Sequence, residues 1–314
     1  MLGFALRRVM ASIPVLLLVS LITFALLWLA PGDPASVFLD ASATPEALER
    51  VRRELGLDQP FLERMGRWYW RLLHGDLGRS LLLNRGVVEA IAERLPVTLS
   101  LAALAFAMSA VLGVCAGALA AIRHGRLADR SMIMLALLGL SIPEFWLGLV
   151  LIWALAVKAG LFPAGGYVAF TQDPMQWARH VALPAFTLAC VQMGFIARMT
   201  RSAMLETLGQ DYVRTARAKG LPERRVVSVH ALGNAMVPIL TVMGIMVGAL
   251  LGNAVVTEQV FSIPGVGRLI IGAVLSRDFP VIQGGLLFLA VIYLAVNLVV
   301  DLLYAAVDPR VRLE

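Results

Sequence analysis

Charge is scarce in this sequence. Only 15% of its 314 residues are Asp, Glu, Lys or Arg, where a soluble domain carries about a quarter, and lysine is reduced to Lys158 and Lys219. Beside 59% hydrophobic residues, that scarcity excludes an ordinary soluble globule. Cysteine is equally sparse. Cys115 and Cys190 both lie in apolar stretches with no CxxC pattern, so they read as small packing residues, without a disulfide framework or metal site. His74, His124, His180 and His230 are dispersed and build neither a metal cluster nor a Ser-His-Asp arrangement. The sequence also lacks G-x-x-x-x-G-K-[ST], H-E-x-x-H and G-x-S-x-G, which removes the usual signals for a phosphate loop, a zinc protease and a serine hydrolase. Catalysis within this chain is not expected. The formal charge of +6 comes without a basic patch interleaved with aromatics, so nucleic acid is not an expected partner.

What is abundant is long apolar runs. Six candidate spans fall at about 9–30, 97–122, 132–157, 181–197, 235–257 and 281–304, each long enough to cross or nearly cross a hydrocarbon core of roughly 30 Å. The expected fold class is an all-α integral membrane protein of six transmembrane helices, with the lipid bilayer as its solvent. Arg7 and Arg8 precede the first run, but that run exceeds the roughly 7–15 apolar residues of a signal peptide, and it is read as a retained span. The basic residues set the orientation. With the N-terminus inside, segments 1–8, 123–131, 198–234 and 305–314 hold 14 Lys and Arg, against four in 158–180 and 258–280. Both termini are therefore expected in the cytoplasm. The chain divides into 1–96, a first transmembrane helix plus an external helical segment, and 97–314, a five-helix core with the cytoplasmic loop 198–234.

The external segment carries helix signals. Thr44-Pro45 opens one helix with Leu48, Val51 and Leu55 on a face and Gly56 as its stop. A second starts at Pro60, with Phe61, Met65, Trp68 and Leu72 in a stripe and Gly75 as its end. The pair either lies on the bundle or interface, with Trp68, Tyr69 and Trp70 at headgroup depth, or docks an external partner.

Inside the cytoplasmic loop stands "QDYVRTARAKGLPERR", residues 210–225. Asp211 is the expected N-cap, Tyr212 to Lys219 the helix and Gly220 its C′ residue, with Pro222 opening a second helix through Val229. The five basic residues are accounted for by position alone, as charges flanking a span. The small Ala216, Ala218 and Gly220 are not, and they suggest a face that another backbone approaches closely.

This segment resembles the EAA loop of binding-protein-dependent ABC transporter permeases, whose pattern is E-A-A, three variable residues, then Gly. Ala216 and Gly220 match the second Ala and the Gly, while Arg214 and Thr215 stand in place of Glu and the first Ala. "YVRTARAKGL" is similar to the form in the peptide-transport branch. The downstream I-x-L-P element reads His230-Ala231-Leu232-Gly233 instead. "PGDPA" (31–35), "LGLDQP" (55–60), "HGDLGRSLL" (74–82), "ERLPVTLSL" (93–101), "SIPEFWLG" (141–148), "FSIPGVGRL" (261–269), "RDFPVIQG" (277–284) and "VDPRVR" (307–312) resemble, in family order, the dipeptide/oligopeptide/nickel permeases. The resemblance implies the type I ABC importer permease fold in a bacterial inner membrane. It also implies a homologous second permease subunit, two ATP-binding subunits and an external solute-binding protein as partners. ATP and Mg²⁺ would sit on the ATPase subunits, leaving no cofactor in this chain. Carried over by position, Tyr212, Arg214, Thr215, Ala216, Lys219, Gly220 and Leu221 would contact the ATPase. Asp211 would cap the helix, and Arg217 and Glu223 would supply rim charges.

Other polar residues sit in or beside the spans. Glu144, just after Pro143, either meets a peptide amine on a translocation path or satisfies backbone groups freed by the proline. Asn253, Thr257 and Glu258, at the external end of the fifth span, are candidate pathway or gate residues. Asn297 and Asp301 read as a structural anchor. An ion-driven secondary transporter is the rival function. It would have only Glu144 and Asp301 as intramembrane acids, and it gives "RTARAKG" no task.

Overall fold

The computed structural model describes residues 2–29, 44–54, 58–80 and 82–307. "PGDPA", Leu55 and Gly56, the side chains of Leu48 and Val51, Leu81 and residues 308–312 of the last motif lie outside the described residues. Helices dominate: α1 (Leu2–Leu29), α2 (Pro45–Glu54), α3 (Phe61–Leu73), α4 (Val87–Ile122), α5 (Leu127–Ser141), α6 (Glu144–Leu151), α7 (Pro174–Leu208), α8 (Asp211–Ala218), α9 (Glu223–Arg225), α10 (Gly233–Val260), α11 (Val266–Leu275) and α12 (Phe279–Val307). A two-stranded antiparallel ribbon, β1 (Arg79–Ser80) and β2 (Arg85–Gly86), precedes α4 and pairs Arg79 with Gly86.

Among the described residues, five helices are long and apolar enough to cross a membrane, and a sixth span appears when α5 and the helix after it are counted together. That third span is not the straight run that 132–157 suggests. It bends by 105° between Ser141 and Glu144, because Pro143 cannot continue α5 and takes an extended ψ of 131°. Beyond α6 the chain continues as π-helical turns over Ile152–Lys158. Other spans exceed their apolar runs. Asp173 caps α7 by accepting from the Met175 and Gln176 amides at 2.9 and 3.0 Å, with Pro174 in the first turn, so this helix starts well before residue 181. The helix opened at Pro222 does not stop at Val229 either. It runs through π-helical Val226–Leu232 directly into α10.

Two compact units result, one from residues 97–263 with 296–314, the other from 2–96 with 264–295. In the first, α7 packs most extensively against α5 and α10. Small residues permit it: a Cβ on Gly194 of α7 would lie 2.5 Å from the Ala136 carbonyl oxygen of α5. Val181, Leu188, Leu250 and Phe261 form one buried cluster there, and Ile196, Met204, Ala231 and Ile239 another. Near the α4–α5 turn, Arg201 donates to both oxygens of the buried Asp129 carboxylate at 2.6 and 2.9 Å. Asp129 also accepts the Gly125 amide, so α7 grips the turn that leads into α5.

In the second unit α3 lies on α1. Phe24 packs edge-on to Phe61 at 5.2 Å, Trp68 stands 6.1 Å from it, and the Arg64 guanidinium covers its face. The Ser20 and Tyr69 hydroxyls share a 2.8 Å hydrogen bond. Trp68 and Tyr69 thus belong to a helix–helix contact, and of the three expected interface aromatics Trp70 is the one left exposed. Val87, Ile91, Val266, Ile270 and Val281 make a separate core around α4, α11 and α12.

Candidate functional site

The segment 210–225 folds into a short, tightly held helix. Gln210, extended at φ −74° and ψ 151°, is the N-cap and makes no side-chain cap bond. Asp211 is therefore the first helical residue and not the cap. Its carboxylate lies in the first turn, where the helix dipole favours negative charge, and its carbonyl accepts the Thr215 hydroxyl at 2.9 Å. The far end closes with the hydrogen bonds of a Schellman motif: Leu221 N–H reaches the Ala216 carbonyl at 3.3 Å and Gly220 N–H the Arg217 carbonyl at 2.9 Å. Gly220 sits at φ +78°, a conformation L side chains resist.

Ala216 does not form an open face. It is only 6% exposed and packs with Val213 and Val226, flanked by Leu208 and Leu221, in a miniature core that pins α8 to the start of the next helix. Its smallness answers that internal contact. The surface presented outward consists of Asp211, Tyr212, Arg214, Thr215, Arg217, Ala218, Lys219 and Gly220. Arg217 and Glu223 join across the Leu221-Pro222 turn by two hydrogen bonds of 3.1 and 2.6 Å, and the carboxylate holds the guanidinium pKa above its usual value. The Arg214–Asp211 pair, at 3.3 Å and almost fully exposed, contributes little stability. Val213 and Val226 are not among the expected site residues. The spacing of Val213 and Ala216, three apart on a helix otherwise polar but for Tyr212 and Ala218, is the signal that points to them.

A second polar group lies at the C-terminal end of α10. Thr257 donates to the Glu144 carboxylate at the start of α6, and the neighbouring Glu258, 0% exposed, accepts the Thr98 hydroxyl of α4 at 2.5 Å. Two consecutive residues thereby tie α10 to two different helices. Thr257 and Glu258 are buried, Glu144 is half-buried and Asn253 is exposed on α10. Asn253 is not brought into this polar group. No group of three or more His, Cys, Asp or Glu is placed to hold a metal among the described residues.

This architecture, several apolar spans with a bent third span and a short helix carried between two long ones, is the permease fold of ABC importers. A chain of the MetNI methionine ABC transporter matches it with a TM-score of 0.56, covering 70% of this chain and 97% of its own at 20% identity. A chain from an amino acid ABC transporter crystallised with histidines matches with a TM-score of 0.52 and 17% identity, covering 71% of this chain and 94% of its own. The chain belongs to the family of binding-protein-dependent transport system inner membrane components, matched over residues 113–313, with the N-terminal family of such components matched over 1–102. It is 50% identical over 309 residues, 98% of each chain, to a Brucella abortus (strain 2308) protein named for a peptide transport system permease. It is 42% identical, over 99% of each chain, to the dipeptide transport system permease protein DppB of Escherichia coli K12. It is thus a multi-pass inner-membrane transport component.

Proposed function

We propose that this chain is the membrane subunit of an ATP-driven importer of peptides, with both termini in the cytoplasm and α8 as its joint to a separate ATPase. The observation that carries the reading is the build of α8, an exposed basic surface on a helix anchored by its own small core and clamped by Arg217 and Glu223. A load-transmitting element has to move with the span it is attached to, and the continuous run from Pro222 into α10 supplies that attachment. Tyr212, Arg214, Thr215, Lys219 and Gly220 are the contact surface. Ala216 and Leu221 support it from beneath, and Asp211 complements the helix end. The orientation rests on the excess of basic residues in 1–8, 123–131, 198–234 and 305–314. The relatives named for peptide and dipeptide transport support the substrate class.

The assembly proposed contains a homologous second permease subunit, two ATP-binding subunits holding ATP and Mg²⁺, and an external solute-binding protein. Nucleotide can drive the cycle only by favouring one conformation of the assembly through differential contacts. Glu144, half-buried at the bend, stands on the solute path, with Thr257 and Asn253 of α10 as its other polar residues, while Glu258 serves as a buried tie.

The test is co-purification with the ATPase and peptide uptake. Gly220→Arg forces a long side chain into a left-handed position on the contact surface and should abolish both. Gly220→Asn, which tolerates that backbone, should keep the association. Equal co-purification with Gly220→Arg overturns the joint. Glu144→Gln keeps an acceptor for Thr257, so the fold should persist while uptake of peptides with a free amine falls; unchanged uptake removes Glu144 from the path.

A further inference from the structure

α3 has three faces, and α1 covers only one of them. Phe61, Arg64, Trp68 and Tyr69 meet Phe24 and Ser20 of α1. At 3.6 residues per turn, Leu62, Trp70 and Leu73 fall on an adjoining stripe, where they are 72, 67 and 81% exposed. The third face is a polar strip of Glu63, Arg67 and Arg71 at intervals of four, all exposed, with Arg67 donating to Glu63 at 2.9 Å. That ion pair is open to solvent and exchangeable. Three arginines against one glutamate leave α3 net positive. Asp76, just beyond the helix, accepts the Gly78 amide. A wide apolar arc beside a basic strip is the build of a helix that lies in a membrane interface.

The level at which α3 meets α1 decides what covers the open stripe. The apolar span of α1 is Leu6–Ala25, so Ser20 lies well inside its end, by about 7.5 Å at 1.5 Å per residue. In the same turns of α1, Leu17, Leu18, Leu21 and Ile22 are themselves exposed, and on a transmembrane helix acyl chains cover such a surface. α3 is therefore docked beside the span, not above it. Immersion to that depth is the one interfacial amphipathic helices adopt.

We propose that α3 is a membrane-interface anchor whose partner is the phospholipid leaflet itself. Leu62, Trp70 and Leu73 enter the acyl boundary, and Arg67 and Arg71 hold the phosphates of anionic phospholipids. Tryptophan favours that depth, and the Trp70 indole is steadied there by His74, whose ring stands 4.6 Å away and whose Nδ1 lies 2.8 Å from the Trp70 carbonyl oxygen. Guanidinium suits phosphate through its fixed fork of donors. With the orientation proposed above, the leaflet is the outer one. The inference needs only that α1 spans the bilayer, and it is independent of the solute and of the joint at α8.

The test places nitroxide labels on the full chain in nanodiscs of phosphatidylcholine and phosphatidylglycerol. Cys115→Ala and Cys190→Ala clear the background, and single labels enter through Leu62→Cys, Trp70→Cys, Leu73→Cys, Arg67→Cys or Arg71→Cys. Electron paramagnetic resonance then reads collisions with oxygen, which concentrates among acyl chains, and with a water-soluble nickel chelate. The oxygen-to-chelate ratio should be severalfold higher at the three stripe positions than at the two arginine positions. A stripe as open to the chelate as the arginine strip overturns the proposal and gives the face to a soluble external protein. Because five positions are read, one variant that fails to fold leaves the pattern measurable. Arg67→Gln combined with Arg71→Gln leaves the contact with α1 in place. Phosphatidylglycerol retained through detergent washing should fall at least about twofold in that variant, as loss of two basic groups at a lipid surface requires. Unchanged retention overturns the headgroup contact.

Discussion

Two turns in this chain carry a guanidinium–carboxylate pair with opposite consequences. At the α4–α5 turn, Arg201 meets Asp129 where the carboxylate is 5% exposed; below α8, Arg217 meets Glu223 where both side chains are largely open to water. The geometry is similar, two hydrogen bonds each with a shortest contact of 2.6 Å. Burial decides what the bond is worth. Asp129 has lost its water and depends chiefly on Arg201, with the Gly125 amide and His124 beside it, whereas Glu223 can exchange its partner for solvent. The first pair fixes a turn, and the second steadies a helix while leaving its surface available.

The comparison can be broken in three ways. Arg201→Ala should be the most damaging, about 3 kcal/mol, because it leaves a buried carboxylate with only the Gly125 amide and the His124 ring as partners; a thermal or denaturant measurement showing less than about 1 kcal/mol would make the Asp129 pair no different from an exposed one. Asp278 offers an intermediate case, a carboxylate bonded to the Ser80 hydroxyl instead of a cation. Burial pushes its pKa above the usual carboxylate value. Its protonated form is therefore favoured by folding: the contribution is fully present below about pH 4, where the unfolded group is also protonated, and is lost as pH rises through the folded pKa. Asp278→Asn should flatten that decline in a pH series of denaturation midpoints, and an unchanged profile would show that burial does not shift its titration on folding. The smallest effect belongs to Arg217 and Glu223. A double-mutant cycle with alanine should give a coupling below about 1 kcal/mol that shrinks with added salt, and a salt-insensitive coupling of several kcal/mol would place that pair with Asp129.

Much of the fold is legible in the sequence. The lengths of the apolar runs locate six spans, the Thr44-Pro45 and Pro60 signals mark helix starts, and Gly220 marks the end of α8. Hydropathy alone misses the polar first turns of α7, because the Asp173 cap lies outside the apolar run. The polar partners are not legible. Asp211 has the chemistry of a cap, yet Gln210 takes the extended conformation, so the cap position falls one residue earlier. Ala216 suggests an open contact because its smallness is visible while its neighbour Val226 is not adjacent in sequence. Trp68 and Tyr69 suggest an interfacial belt, but Phe24 and Ser20 of α1 lie against them.

The sequence by itself determined that the chain crosses a membrane, about where, and where its helices must stop. Those properties depend on transfer of continuous apolar segments and on backbone preferences of Gly and Pro, which are local. Only the tertiary structure decided that the third span bends through 105°, that Glu258 is a buried tie to a threonine 160 positions away, and that one face of α8 turns inward. A polar side chain's role depends on which distant group removes or replaces its water, and that is set by how helices pack.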